Sequence, residues 1–328
     1  MTTLDCNARC FYCYEKGRAR ITMTEETANN VATCIIDNAN GSKVHISWFG
    51  GEPLVNYQVI DIICDRLASA KIRYSSSMIS NGLLFSPEIL NKAKQNWKLG
   101  RVQITLDGTK EVYQKSKAFV KADGTEFDRV LDNIETLLRN DIAVVVRLNQ
   151  DVYNTDDLLQ LVDLLNERLG EYKNFKVYNH ILFNDDHVLT DEQIDCHYKL
   201  SNKIVSSSLS SNPKLLSGPK VYSCMADSPT SRVITPDGKF GKCEHYSSEY
   251  LVGSLDGNDI DNEMLYKWAE RYGRQEACDS CPLYPVCVRI KMCPNDSPVC
   301  YEFDREKEIS MIKRAMLMAY EDYRKSKS

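Results

Sequence analysis

The chain has 328 residues, of which 43% are hydrophobic and 27% charged, a globular composition long enough for one large core or two domains. No apolar run reaches transmembrane length, and the start of the chain has neither the charged nor the apolar region of a secretory signal. A net charge of -5 argues against a nucleic-acid partner; no membrane partner is expected, and the location expected is cytoplasmic.

Up to about residue 190, strand-like and helix-like segments alternate. Residues 44–49, 76–80, 101–106, 142–148 and 175–182 are predicted strands, short and rich in β-branched or aromatic residues. Residues 24–39, 57–70, 86–96, 126–140 and 154–168 are predicted helices. Thr22 and Glu25 have capping-box spacing at the first helix. Val130, Leu131, Ile134, Leu137 and Leu138 fall on one face of the fourth. The alternation predicts an α/β fold with a parallel sheet and outer helices, a barrel or part of one. Only Met1–Asp5 precede the first cysteine, which is short for a barrel strand. The chain is therefore read as starting inside its own fold, or as lacking natural N-terminal residues.

Residues 201–219 are polar and Ser-rich, with Asn212-Pro213 and Gly218-Pro219, as in a connector. Residues 220–300 are rich in Cys and punctuated by Gly and Pro, as in a small domain organised by metal. Residues 302–325 form a charged helical pattern. The expected organisation is a core over 1–195, a connector over 196–219, a cysteine-rich domain over 220–302 and a C-terminal helix over 303–328.

Thirteen cysteines are many for a chain without an export signal, and in a reducing compartment they usually bind metal or stay buried as thiols. Three lie between 6 and 13 and seven between 224 and 300, which reads as two sets of metal ligands. Cys34 and Cys64, among Ile and Val in predicted helices, are assigned to the core.

Cys6, Cys10 and Cys13 form C-x-x-x-C-x-x-C on a short loop. Three thiolates can wrap one face of a cubane cluster, and with no fourth cysteine nearby one iron stays open for a ligand. Structural zinc usually takes four ligands, and nothing near this loop completes such a set. The remaining alternative is a set of free thiols.

The run C-N-A-R-C-F-Y-C-Y-E resembles the signature of the radical S-adenosylmethionine superfamily. Further elements follow in order at strand ends. Gly50-Gly51-Glu52-Pro53 resembles the element that holds the methionine amino group, and Ser80-Asn81-Gly82 is similar to the ribose-side turn. Leu106-Asp107-Gly108 and Arg147 match positions around the same cofactor, and Tyr12 would shield the cluster or stack on adenine. Singly, each also reads as an ordinary turn or surface residue. Many relatives carry His and Arg shortly after Asp107-Gly108, whereas Tyr113 and Lys117 stand here, so no contact is carried over to them. The resemblance implies a partial (β/α)6 barrel binding S-adenosylmethionine and one [4Fe–4S] cluster.

Cys224 and Cys243 flank Gly238 in C-x13-G-x4-C, followed by Cys278, Cys281, Cys287, Cys293 and Cys300. This array resembles the SPASM extension, which implies two auxiliary [4Fe–4S] clusters. By that resemblance Cys224, Cys243 and Cys293 hold the inner one, with an open iron, and Cys278, Cys281, Cys287 and Cys300 the outer one. Zinc knuckles are the alternative for this array alone.

The implied activity is that of a radical oxidoreductase: a reductant such as flavodoxin or ferredoxin supplies an electron, S-adenosylmethionine is cleaved, and a substrate loses hydrogen. Relatives with this extension mostly act on peptides or proteins, so a maturase of a ribosomal peptide is expected, forming a thioether or other crosslink. A separate peptide-recognition protein, or further N-terminal sequence, is implied. The alternatives are formylglycine-forming oxidation of a protein Cys or Ser, as in sulfatase maturation, and a non-catalytic metal-holding interaction module. The residues do not identify a catalytic acid or base.

Overall fold

The computed structural model describes residues 1–182, 189–209, 224–245, 248–256, 260–284, 287, 289–293 and 299–327. Among them, β1 (Val44–Trp48), β2 (Tyr74–Ser80), β3 (Leu99–Leu106), β4 (Ala143–Gln150) and β5 (Phe175–Ile181) form one parallel sheet in sequential order. Parallel neighbours need crossover connections, and helices supply them. α1 (Glu25–Asn38) precedes β1. α2 (Tyr57–Ser69), α3 (Pro87–Gln95), α4 (Lys110–Lys117), α5 (Glu126–Arg139) and α6 (Thr155–Leu169) lie between the strands, and α7 (Asp191–Ser206) follows β5.

Alternation along each strand decides which side is covered. Val102, Ile104 and Leu106 of β3 and Val144, Val146 and Leu148 of β4 are fully buried. They share that side with Met78 and Val177, also buried. The intervening positions are mostly polar, with Ile79, Ala143 and Val145 as exceptions: His45 lies between the hydroxyls of Ser75 and Ser77, and Tyr178 donates to Gln103. A parallel sheet with one polar face and one apolar face is what an open barrel offers a ligand. The helical periodicities are borne out. Val130, Leu131, Ile134, Leu137 and Leu138 of α5 are all buried, as are Val59, Ile60, Ile63, Cys64 and Leu67 of α2.

Three local expectations change. The cap of α1 is Thr24, whose hydroxyl accepts from the Thr27 N–H, not Thr22. Thr22 is held extended by antiparallel pairing with Thr3, with the two hydroxyls 2.9 Å apart. Cys34 is only partly buried on α1, while Cys64 is core. α4 has no strong sequence signal, and α7, absent from the predicted helices, begins at a Thr190–Gln193 capping box. The inward side of α4 is Tyr113, Ser116 and Lys117, which a search for apolar spacing passes over.

The chain divides into two compact units, Met1–Ser210 with Ile234–Lys239, and Ser211–Val233 with Phe240–Ser328. α7 runs through residue 196, and residues 210–219 of the expected connector, with 220–223 of the expected cysteine-rich domain, lie outside the described ones. Three short strands, β6 (Val233–Ile234), β7 (Lys239–Gly241) and β8 (Gly253–Ser254), form a small sheet. The second unit also holds α8 (Asn262–Ala269), capped by Asp261, and α9 (Glu302–Lys327). Among the described residues, its buried apolar side chains include Val252, Trp268 and Ile290. Trp268 donates its indole N–H to Tyr250 O, and Arg271 pairs with Asp227. No described helix is long and apolar enough to cross a membrane.

Candidate functional site

The residues before Cys6 find their partner in the turn after β1. Gly51 N–H donates to Thr3 O at 3.0 Å and Glu52 N–H to Asp5 O at 2.9 Å. The two backbones approach closely enough to exclude side chains. A Cβ on Gly50, at φ +134°, would lie 2.2 Å from Thr3 O, and one on Gly51 2.2 Å from Asp5 O. The Gly-Gly pair thus sets where the cysteine loop leaves the sheet. Gly51→Ala is expected to push Asp5 outward and destabilise the first unit by about 1–3 kcal/mol; a urea unfolding midpoint equal to wild type would contradict this.

Glu52 is 0% exposed and joins this turn to the end of β2. Its carboxylate accepts from Ser80 Oγ at 2.9 Å, Asn81 N–H at 2.8 Å and Leu54 N–H at 3.2 Å. Pro53 is buried beside it, and its carbonyl accepts from Thr2 Oγ1. Asn81 donates to Asn7 Oδ1 at 2.7 Å, with its amide nitrogen 3.9 Å from Cys6 Sγ. The first two predicted strand-end elements therefore meet at the loop.

Burial raises the Glu52 carboxyl from 4.5 to about 7, against the pull of its hydrogen-bond donors and Lys117. Burial raises Glu15 to about 7 as well. A carboxyl with a raised folded pKa makes the folded state bind more protons than the unfolded chain. Its favourable contribution is full below about 4.5 and is lost as pH rises through about 7. The urea midpoint of the metal-free chain is expected to fall from about pH 5 to about pH 7. Glu52→Gln should flatten part of that slope, and an unchanged slope in the variant would show that Glu52 does not carry it.

Cys6, Cys10 and Cys13 are each partly buried. Burial, with Glu52 and the neighbouring Cys10 and Cys13 adding to it, pushes the Cys6 thiol up to about 12, as expected of three thiols on one short loop. Cys13 N–H donates to Cys10 O at 3.2 Å. Among the described residues no three His, Cys, Asp or Glu side chains converge on a single metal ion. Thiolates that bind different irons of one cluster need not do so.

The third strand end contributes Asp107, 0% exposed. Its Oδ1 accepts from Tyr12 OH at 2.7 Å and Asn149 Nδ2 at 3.0 Å, and its Oδ2 lies 3.1 Å from Lys117 Nζ. Tyr12 is thereby turned inward, while Phe11 stays exposed against it at 5.1 Å between ring centroids. Arg147 of β4 is in register with Thr105 and Tyr178, so all three share the polar face. Its Nε is buried and has no hydrogen-bond partner among the described residues. An unmatched guanidinium N–H on the polar face of the strands that carry these turns suits an anionic ligand, such as the carboxylate of S-adenosylmethionine. The residues present fit that group.

In the second unit, burial raises the Cys287 thiol, and Cys281, Cys278 and Cys300 lie near enough to add to the rise. Gln275 ties two of them, its N–H donating to Cys278 Sγ and its Oε1 accepting from Cys300 N–H. Cys224 lies close enough to raise Cys243, whose sulfur also accepts from His245 N–H. Cys293 N–H donates to Ile290 O. Lys117, Asn149 and Gln275 carry no motif of their own, because their partners lie far away in sequence.

The family model of the radical SAM superfamily matches residues 1–165. The chain is 23% identical to the radical SAM cyclopropyl synthase TigE of Paramaledivibacter caminithermalis, over 92% of this chain and 75% of that protein. It is 29% identical to the Fe-coproporphyrin III synthase of Methanosarcina barkeri over 50% of this chain and 39% of that protein. Among solved structures, native anSMEcpe with bound AdoMet superposes with a TM-score of 0.72 at 14% identity, covering 97% of this chain and 96% of that one. Streptococcus suis SuiB bound to the precursor peptide SuiA gives 0.62 at 13% identity, over 87% of this chain and 69% of that one. These likenesses extend the shared fold through the cysteine-rich region. The chain belongs to the radical SAM superfamily, with a partial-barrel core and a SPASM-like C-terminal region.

Proposed function

We propose that Cys6, Cys10 and Cys13 hold a [4Fe–4S] cluster with one iron left for S-adenosylmethionine, and that the enzyme oxidatively modifies a peptide. The observation that carries this reading is the grouping of three thiols on one loop, tied through Asn81 and Glu52 to the ends of β1 and β2. A cluster held there would supply the electron for reductive cleavage of S-adenosylmethionine. This chain's residues bind and orient. Glu52 would fix the Ser80–Asn81 turn on the methionine and ribose side, and Arg147 would offer its unmatched N–H to the carboxylate. Tyr12 and Asp107 are fixed behind the loop.

Cys278, Cys281, Cys287 and Cys300 would hold an outer auxiliary cluster, a reading supported by their mutual proximity and by Gln275. Cys224, Cys243 and Cys293 would hold an inner one. A peptide substrate accords with the fold shared with SuiB bound to its precursor peptide and with anSMEcpe bound to AdoMet and the Cp18Cys peptide. A flavodoxin or ferredoxin would deliver the electron. The test is anaerobic reconstitution and reduction with S-adenosylmethionine and a cysteine-containing candidate peptide. Release of 5′-deoxyadenosine together with a two-hydrogen loss from the peptide is expected. 5′-Deoxyadenosine formed without peptide change would move the reading to another substrate, and no 5′-deoxyadenosine would overturn it.

A further inference from the structure

Lys117 is a buried charge that the proposed reaction leaves unused. It ends α4 at 1% exposure, inside the first unit. A lone buried ammonium is strongly disfavoured, so its surroundings must compensate it. Burial alone would lower the Lys117 pKa, but Asp107, Tyr12 and Cys10 together raise it well above the ordinary value. The Asp107 carboxylate, 3.1 Å from Nζ, is the counter-ion that compensates the buried ammonium.

Its contacts form a closed set. Nζ donates to Thr105 Oγ1 at 2.6 Å and Tyr12 Oη at 2.9 Å, and lies 3.1 Å from Asp107 Oδ2. Tyr12 and Asn149 both donate to Asp107 Oδ1, and Asn149 also donates to Tyr12 Oη at 3.1 Å. The ammonium stands 5.6 Å from the Tyr12 ring centroid and 5.8 Å from that of Tyr113. The backbone of the same residue holds the loop from its other side. Lys117 O accepts from Arg9 N–H at 2.9 Å and is 3.9 Å from Cys10 Sγ. Val120 N–H donates to Asn7 O at 2.9 Å, after the chain turns at Ala118 with φ +45°. One residue thus grips the loop at Arg9–Cys10 by its carbonyl and at Tyr12 by its side chain.

We propose that Lys117 is a positioning residue of the cysteine loop, and that its ion pair with Asp107 keeps the surroundings of Cys10 electrically balanced, so that the reduction potential of the cluster held there depends on the pair. The proposal rests on the cluster reading above. Net charge close to an iron–sulfur cluster sets how readily it accepts an electron, and charges act strongly in a low-dielectric interior. Removing the ammonium alone leaves a carboxylate behind the loop and makes reduction harder. Removing both charges restores the balance, while Asn at 107 can still accept from Tyr12.

The experiment compares wild type, Lys117→Arg, Lys117→Met and the double variant Lys117→Met/Asp107→Asn as full-length, anaerobically reconstituted protein. The readout is the midpoint potential of the paramagnetic signal that changes on adding S-adenosylmethionine, with circular dichroism as the check of folding. Lys117→Met is expected to shift the midpoint negative, Lys117→Arg to stay near wild type, and the double variant to return toward wild type. A Lys117→Met midpoint equal to wild type, or a double variant shifted as far as the single one, overturns the proposal. Should Lys117→Met not fold, a folded double variant with a near-wild-type midpoint upholds the balanced pair, and one without the signal overturns it. A wild-type chain with no signal responsive to S-adenosylmethionine overturns the cluster reading itself, a result distinct from unshifted variants.

Discussion

Replacing Cys10 by alanine is expected to abolish 5′-deoxyadenosine formation by the reduced, reconstituted chain. Three thiolates are the whole protein contribution to the proposed first cluster, so no spare ligand exists in the loop. Cys10 is the middle one, with its carbonyl accepting from Cys13 N–H and its sulfur 3.9 Å from Lys117 O. The loss should exceed about 100-fold, the upper range for removing only an outer partner of a metal ligand. Cys34→Ala is the matched control, because Cys34 lies within α1 and belongs to neither cysteine array in the sequence. Product is measured by chromatography after a single anaerobic incubation. Wild-type yield from Cys10→Ala would remove the cysteine loop from the reaction, while equal losses in both variants would point to general damage.

The second large effect is expected from Glu52→Ala, and it is seen first in stability. Glu52 accepts from two backbone N–H groups, at Leu54 and Asn81, and from the Ser80 hydroxyl, all buried. Orphaning a buried donor costs about 1–3 kcal/mol, and three are orphaned here. The truncation also removes a carboxylate that burial disfavours, which offsets part of the loss. The net expectation is the lower end, about 3 kcal/mol, which in a unit of this size lowers Tm by roughly 10 °C. Thermal unfolding of the metal-free chain followed by circular dichroism measures this directly, free of any effect on cofactor binding. A Tm unchanged from wild type would mean that solvent takes over all three donors. The same truncation should weaken retention of S-adenosylmethionine, because the end of β2 would no longer be tied to the turn after β1.

Much of the first unit was legible in the sequence because its signals are local. A parallel strand covered by helices reads as a β-branched run, and Val144–Val146 and Val102–Ile104 sit where those runs predicted. Gly50 and Gly51 were legible as a turn but not in their reason, which is the close approach of Thr3 and Asp5. The Thr22 cap failed for a similar reason. Capping-box spacing is a local rule, and pairing with Thr3 across the chain overrode it by holding Thr22 extended. α4 was missed because its inward residues are Tyr113, Ser116 and Lys117: Lys117 is buried through its ion pair and hydrogen bonds, and Tyr113 against the rings of Phe119 and Phe127.

By itself the sequence determined the reaction class and the order of the elements that serve it. Three cysteines at fixed short spacing can meet one cluster whatever surrounds them, and turn residues at strand ends follow from the alternation of strand and helix. The tertiary structure alone decided what stands behind the loop. Lys117, Asp107, Tyr12 and Asn149 come from four separate segments and carry no common pattern. A buried ammonium can exist only where the fold brings its counter-ion and acceptors to it, and that requirement acts through space, where spacing along the chain gives no sign of it.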